Sequence, residues 1–292
     1  MSSIQTLREK AKRFYDLHHQ PGHILILPNA WDVVTARVFE DAGFPAVATS
    51  SGGVSTSLGY PDGQNISRSE MLGVVGRMAH ALNIPLSADL EAGYGDSDEE
   101  MDALAQGLIE AGAVGLNLED STRNPKMPLQ EIGVQCRKIR ALRRACEARA
   151  PGVHLFINAR TDAFRVISEK NAAVEEAVMR GRAYVEAGAD CIFLFGASDG
   201  GAISEVVGHI GSPVNVILGP RSPNLDELER MGVARITFGT SMARASIGAM
   251  KNIASALKER KRAYGEVFAD AITFDELNRL SQPANDSVSP TQ

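Results

Sequence analysis

The chain has 292 residues, 44% of them hydrophobic, with 30 Lys and Arg against 36 Asp and Glu for a net charge of −6. That is enough length and apolar content to bury a sizeable core, and the singly scattered cations form no stripe able to neutralise a phosphate backbone, which excludes nucleic acid as an expected partner. No apolar run approaches the roughly 20 residues that span a bilayer, so no membrane association is expected either.

The N-terminal stretch MSSIQTLREKAKRFYDLHH reads as a helix without the apolar middle of a signal peptide. After it, eight β-like runs follow in chain order: residues 23–27 (HILIL), 46–49 (AVAT), 85–89 (PLSAD), 114–118 (VGLNL), 154–158 (HLFIN), 191–195 (CIFLF), 213–217 (PVNVI) and 234–238 (ARITF). Helix-periodic segments separate them, and the phrase EDAGFPAV returns as IEAGAVGL, VEAGADCI and ERMGVARI. Each copy reads as a helix end, a glycine cap and the next strand, so the strands return parallel through helical crossovers. Eight strand runs alternating with helices predict a closed (β/α)8 TIM-type barrel, with additional N- and C-terminal helices, over residues 1–282. A doubly wound open sheet is the alternative, but it lacks a GxGxxG fingerprint. Residues 239–282 carry two more helical patterns, which favour a homo-oligomer, a tetramer or a dimer. The polar tail 283–292 reads as disordered.

Cys136, Cys146 and Cys191 are an odd number without CxxC spacing, as suits free thiols in a reducing compartment, and a soluble, cytoplasmic protein is expected.

In a barrel of this kind, polar residues at the carboxyl ends of strands converge on one mouth. SADLEAGYG brings Asp89 and Glu91 there on the same side of an extended chain. VGLNLEDS adds Glu119 and Asp120 one strand later. Carboxylates crowded into a partly desolvated pocket repel one another, and a hard divalent cation relieves them. All-oxygen donors without His or Cys select Mg2+ or Mn2+, unless the acids simply pair with arginines. NARTDAF delivers Arg160 and Asp162 to the same mouth; Arg160 suits a bidentate grip on a substrate carboxylate, or merely neutralises Glu119. Ser50, Ser51, Gly52 and Gly53 in VATSSGG offer close-approach backbone amides, although a tight turn alone explains the glycines.

Taken together, LPNAWD, SSGG with LGYPD, ADLEAGYG, LNLEDS and NARTDAF resemble the isocitrate lyase/phosphoenolpyruvate mutase superfamily. The resemblance implies Asp89 and Glu91 as metal carboxylates, Glu119 as an acid reaching the metal mostly through water, and Asp62 of GYPD as an outer metal acid. It implies Ser50, Ser51 and Gly52 as the loop holding the substrate's carboxylate and oxyanion, Arg160 as a catalytic, substrate-binding residue, and Asn215 and Arg244 as further substrate contacts. Its shared mechanism stabilises an enolate as a C–C or P–C bond breaks in a small anionic 2-oxo or 2-hydroxy acid.

Two departures narrow the subgroup. The Lys-Lys/Arg-Cys-Gly-His loop of the isocitrate and methylisocitrate lyases is replaced by EDSTRNPKMPLQEIG, and FLFGAS stands where those lyases carry a glutamate. The chain is thus similar to the oxaloacetate decarboxylase and 2-methylmalate lyase branch, with a partial match of Pro125-Lys126 to the phosphonate enzymes. A Mg2+-dependent C–C lyase or decarboxylase is the first expectation. Phosphonopyruvate hydrolase or mutase-like P–C chemistry is the second, and a non-catalytic 2-oxo acid binding protein the third. The proton donor is sought among Tyr94, Ser121, Arg123 and Lys126, and loop 120–130 is expected to act as a lid.

Overall fold

In the computed structural model, residues 4–122, 124–259 and 263–282 are described. Nine strand segments form one parallel sheet: β1 (Leu25–Ile26), β2 (Asn29–Ala30), β3 (Val47–Thr49), β4 (Leu86–Asp89), β5 (Gly115–Glu119), β6 (Phe156–Thr161), β7 (Cys191–Leu194), β8 (Val214–Ile217) and β9 (Arg235–Thr237). β1 pairs with β9, and β2 pairs with β3. β1 and β2 are one stave interrupted at Pro28, which has no N–H to give a ladder but whose carbonyl still accepts from Ala48 at 2.9 Å. The sheet therefore closes, and the eight expected staves are all present. The predicted tail 283–292 and Arg123 lie outside the described residues.

The glycine caps behave as the repeated phrase predicts. Gly112 and Gly188 end the helices Asp98–Ala111 and Lys170–Ala187 in the left-handed conformation, at φ 80° and 110°. Serines open the crossover helices: Ser67 and Ser97 each form a capping box with the glutamate three residues on.

Side chains alternate across each stave, and the two phases make two cores. Leu86, Ala88, Leu116, Leu118, Ile157 and Ile192 belong to the large layer packed with the crossover helices. Leu25, Leu27, Ala48, Phe156 and Cys191 belong to a smaller cluster with Leu7, Ala11 and Phe14 of the helix Ile4–Leu17. That helix thus packs its apolar face on the inner cluster, its Phe14 ring edge-on to Phe156 at 5.2 Å. Gly115 is required there, since a Cβ on it would lie 2.9 Å from the Phe14 ring. The inward phase carries Asp89, Asn117, Glu119, Asn158, Arg160, Asn215 and Arg235 up the stem to the mouth.

Candidate active site

β4 ends at Asp89, and the chain then turns sharply: Glu91 and Tyr94 both adopt left-handed backbone conformations, at φ 52° and 58°. Such conformations cost a non-glycine residue free energy and are held only where surroundings impose them. The Glu119 amide donates to the Glu91 carbonyl at 2.9 Å, tying the two strand ends together. Behind the turn, the buried Lys138 of the helix Ile132–Arg149 donates from Nζ to the Ala92 carbonyl at 2.6 Å and to Asp96 at 2.8 Å.

Asp89 is held from two neighbouring staves. Its Oδ2 accepts from the Ser51 amide at 3.0 Å and the Ser51 hydroxyl at 2.8 Å, and its Oδ1 accepts from Asn117 Nδ2 at 3.2 Å. The amide assigned by resemblance to a substrate carboxylate thus engages Asp89 here. Ser50 caps the short helix Ser51–Ser57 by accepting from the Gly53 amide at 3.2 Å. Gly52 faces Asp62 and Thr240 so closely that a Cβ would sit 2.6 Å from Thr240 Cγ2 and 2.9 Å from Asp62 Oδ2.

Arg160, on the inward face of β6, is clamped on three sides. Its Nη1 lies 2.8 Å from Glu119 Oε2, its Nε donates to Asp162 Oδ1 at 2.7 Å, and its guanidinium stacks 3.5 Å from the Phe195 ring centroid. Burial would by itself lower its pKa, but Glu119 and Asp162 outweigh that and hold it above the ordinary value. The Ser121 hydroxyl donates to the other oxygen of Glu119. Asp120 points the opposite way, into a buried network: Tyr184 donates to it at 2.8 Å, Arg180 at 3.2 Å and the Asp162 amide at 3.0 Å. Asp120 belongs to the scaffold rather than to the mouth.

The acids at the mouth are unequal. Burial pushes the Glu91 carboxyl up to about 8, helped by Asp89, Asp62 and Glu119 and tempered by a Gln64 backbone bond. Burial likewise raises Glu119 to about 7, against the opposing charge of Arg160. Among the described residues, no group of three or more His, Cys, Asp or Glu side chains is arranged to hold a metal ion. Yet Glu91 Oε1 is buried without a hydrogen-bond partner, close enough to Asp89, Asp62 and Glu119 for their charges to act on it. Such an orphaned carboxyl oxygen, whose charged form its acidic neighbours disfavour, fits a hard dication held by a few carboxylates and water.

Two adjoining volumes open at the mouth. One of about 400 Å3 is walled by Asp62, Glu91, Glu119, Ser121, Lys138 and Arg160. The other, about 420 Å3, has Ser50, Ser51, Asp89 and four arginines, Arg160, Arg165, Arg221 and Arg244, with Phe195 and Phe238. Ser51, Asp62, Arg160 and Arg165 line both.

The mouth therefore gathers Ser50, Ser51, Asp62, Asp89, Glu91, Glu119, Arg160 and Arg244. Gly52 stands against Asp62 beside it. Asn215 lies wholly buried, with Thr237 donating to its Oδ1 at 3.4 Å, and neither cavity wall includes it. Tyr94 packs against the apolar core and is also absent from both walls. Lys126 is exposed. The two ends of loop 120–130 pair with each other, through a Ser121–Leu129 bridge and a bond from the Gln130 amide to the Asp120 carbonyl at 2.7 Å. Lys138, Arg165 and Asn117 escaped the sequence reading. Asn117 was findable, because it lies two residues before Glu119 and so shares its inward phase.

Comparison with known proteins places this geometry in a family. The family model described as phosphoenolpyruvate phosphomutase matches residues 14–258. An uncharacterized protein of Mycobacterium tuberculosis strain H37Rv is 34% identical over 273 residues, 92% of this chain and 98% of that one. The 2,3-dimethylmalate lyase of Eubacterium barkeri is 30% identical over 266 residues, 88% of this chain and 89% of the lyase. A phosphonopyruvate hydrolase, solved in complex with oxalate and Mg2+, matches with a TM-score of 0.78 at 26% identity, covering 96% of this chain and 95% of that one.

Proposed function

The chain belongs to the phosphoenolpyruvate phosphomutase family, within the isocitrate lyase/phosphoenolpyruvate mutase superfamily, and from that premise we propose that it is a Mg2+- or Mn2+-dependent lyase or decarboxylase. Its substrate is a small 2-hydroxy or 2-oxo di- or tricarboxylate, cleaved at a C–C bond through a pyruvate-type enolate. The observation that carries this reading is the juxtaposition at one mouth of a buried, partnerless Glu91 oxygen with the buried cation Arg160. One feature invites a dication, the other an anionic substrate.

Asp89 and Glu91 are the proposed direct holders of the cation, with Glu119 and Asp62 acting through water. Bound there, the dication supplies Lewis-acid stabilisation of the negative charge that develops on the substrate oxygen. Arg160 binds the substrate carboxylate, exchanging part of its grip on Glu119 for the ligand. Its stacking on Phe195 keeps the guanidinium plane fixed while it does so. Ser50, Ser51 and Gly52 provide hydroxyl and amide donors for the carboxylate and oxyanion. Arg244 is a further proposed contact, whereas Asn215, buried and absent from both cavity walls, is not proposed as one. Of the candidate proton donors, Ser121 has its hydroxyl on Glu119 at the cavity wall, whereas Tyr94 would have to swing out of the core.

Incubation with Mg2+ and a panel of substituted malates and oxaloacetate tests the reading. Release of pyruvate or glyoxylate supports it, and no release from any member sinks it. P–C chemistry is the second reading, favoured by the family's phosphomutase model and the hydrolase likeness. Phosphorus NMR of a phosphonopyruvate incubation separates the two. Mg2+-dependent oxalate binding without turnover of either substrate set would instead mark a non-catalytic 2-oxo acid binder.

We propose assembly as a dimer or tetramer through the helix Ser241–Glu259, of which Ala243 is the buried residue while Ile247 and Met250 are 49% and 63% exposed. Such an apolar stripe supports an interface, and light scattering of the purified protein checks it. Among the described residues no helix is long and apolar enough to cross a membrane, and a cytoplasmic location remains part of the proposal.

A further inference from the structure

Below the mouth, the stem of the barrel holds a cation that the proposed chemistry does not use. Arg235 opens β9 with no exposed surface, and its neighbour Ile236 belongs to the outer core, so Arg235 takes the inward phase. Its Nε, Nη1 and Nη2 are all buried without a hydrogen-bond partner among the described residues. Leaving a buried donor unmet is destabilising, more so for a charged group, and an isolated buried charge costs further still. Folded proteins satisfy nearly all such groups.

The surroundings supply donors and neutral groups rather than a contacting counter-charge. Asn215 is register partner to Arg235 on β8, and its Nδ2 is likewise buried without a partner. His18, buried at 3% exposure, uses Nδ1 on the Phe14 carbonyl at 2.8 Å. A ring nitrogen facing a carbonyl carries the proton, so Nε2 is an unprotonated acceptor. Burial, with the charge of Arg235 adding to it, lowers the His18 pKa well below its usual value and keeps the ring neutral. Burial pushes the Cys191 thiol up to about 12, so it too is neutral. The carboxylate in electrostatic reach of Arg235 is Asp89, but it makes no hydrogen bond to the guanidinium. Arg235 is lowered only to about 10, chiefly by burial, and so keeps its charge at neutral pH.

Water can bond a guanidinium but cannot neutralise it. We infer that the barrel stem is an internal binding site for a small monovalent anion of halide type, held by the Arg235 guanidinium with the Asn215 amide as a second donor. The helix Ile4–Leu17, which carries Phe14 onto this inner cluster, covers the site from below. The site is independent of the mouth chemistry: it stabilises the fold and turns over nothing.

The test uses the intact protein, produced and purified with bromide in place of chloride and crystallised from it. Anomalous diffraction should show one bromide in hydrogen-bond contact with Arg235 inside the barrel. In solution, the melting temperature should be higher in chloride or bromide than in gluconate at equal ionic strength, and Arg235→Met should abolish that difference. Should Arg235→Met fail to fold, Arg235→Lys, which keeps the charge but loses the fork, should weaken the halide dependence. Ordered waters alone around Arg235, with bromide peaks only on the surface, would overturn the inference. So would a melting temperature indifferent to the choice of anion.

Discussion

Glu119 and Asp120 are adjacent in the chain, leave the same strand end, and meet opposite surroundings. Asp120 turns outward, where Tyr184, Arg180 and the Asp162 amide take up its oxygens. Glu119 turns inward, where it shares Arg160 with Asp162 and stands among acids that repel it. Burial raises the pKa of both, so a shifted pKa does not distinguish them. What does is the completeness of the bonding. The outward acid is surrounded by donors. The inward cluster holds Glu91 Oε1 without a partner and walls a cavity of about 400 Å3. A satisfied buried acid builds the scaffold, and an under-satisfied one facing a cavity is built for something that binds.

Isosteric substitutions break this comparison most sharply. Asp120→Asn should cost about 3 kcal/mol of stability, because it removes the buried anion shared by Tyr184, the Asp162 amide and Arg180, which keeps only Glu176, measured as a shift of the urea midpoint at unchanged slope. Glu119→Gln should do the reverse. On the proposed function it lowers turnover about a hundredfold, equivalent to about 2.7 kcal/mol of transition-state stabilisation, while the urea midpoint stays put or rises as one like charge leaves the cluster. If Glu119→Gln unfolded the protein and Asp120→Asn merely slowed it, the assignment of roles would be reversed.

The pH dependence sharpens the same contrast. Glu91 titrates near 8 and Glu119 near 7 in the fold, against an ordinary glutamate value of 4.5. The folded state thus binds more protons than the unfolded chain across this window. Stability of the metal-free protein should fall as pH rises from about 4.5 to 8, at up to about 1.4 kcal/mol per pH unit for each proton held. Thermal melts across that range check the slope, and Glu91→Gln should flatten it. Steric crowding gives a smaller effect. Gly52→Ala drives a methyl against Thr240 and Asp62 and should cost about tenfold in activity, or about 1.4 kcal/mol, with the fold retained. The smallest effect belongs to the exposed pair Arg279–Asp41; Arg279→Ala should leave the urea midpoint unchanged within its measurement error.

Much of this was legible in the sequence because period and position carry physical meaning. The phrase that recurs four times, from EDAGFPAV to ERMGVARI, marks helix end, cap and strand, and eight strand runs alternating with helices leave little but a closed parallel barrel. The strand ends NLE and NAR name mouth residues because side chains two apart share a face, whereas Glu91 reaches the mouth past the end of β4 through a left-handed turn and not along the extended chain that SADLEAGYG suggests. The illegible parts come from distant segments. Lys138 reaches the Ala92 turn from the next crossover helix, and no local pattern announces that. The split of the first stave follows from Pro28, visible in HILILPNAWD but overlooked in a run of apolar residues. Arg235 hides in ARITF, where no local pattern marks it as interior, and only the closed stem makes it so.

The central claim is that the inward acids and Arg160 together hold a divalent cation and an anionic keto acid, and calorimetric titration of oxalate with and without Mg2+ tests it most directly. The account predicts measurable oxalate binding only when Mg2+ is present, lost in both Asp89→Asn and Arg160→Met. Oxalate binding of equal strength without Mg2+, or unchanged in Asp89→Asn, would contradict it.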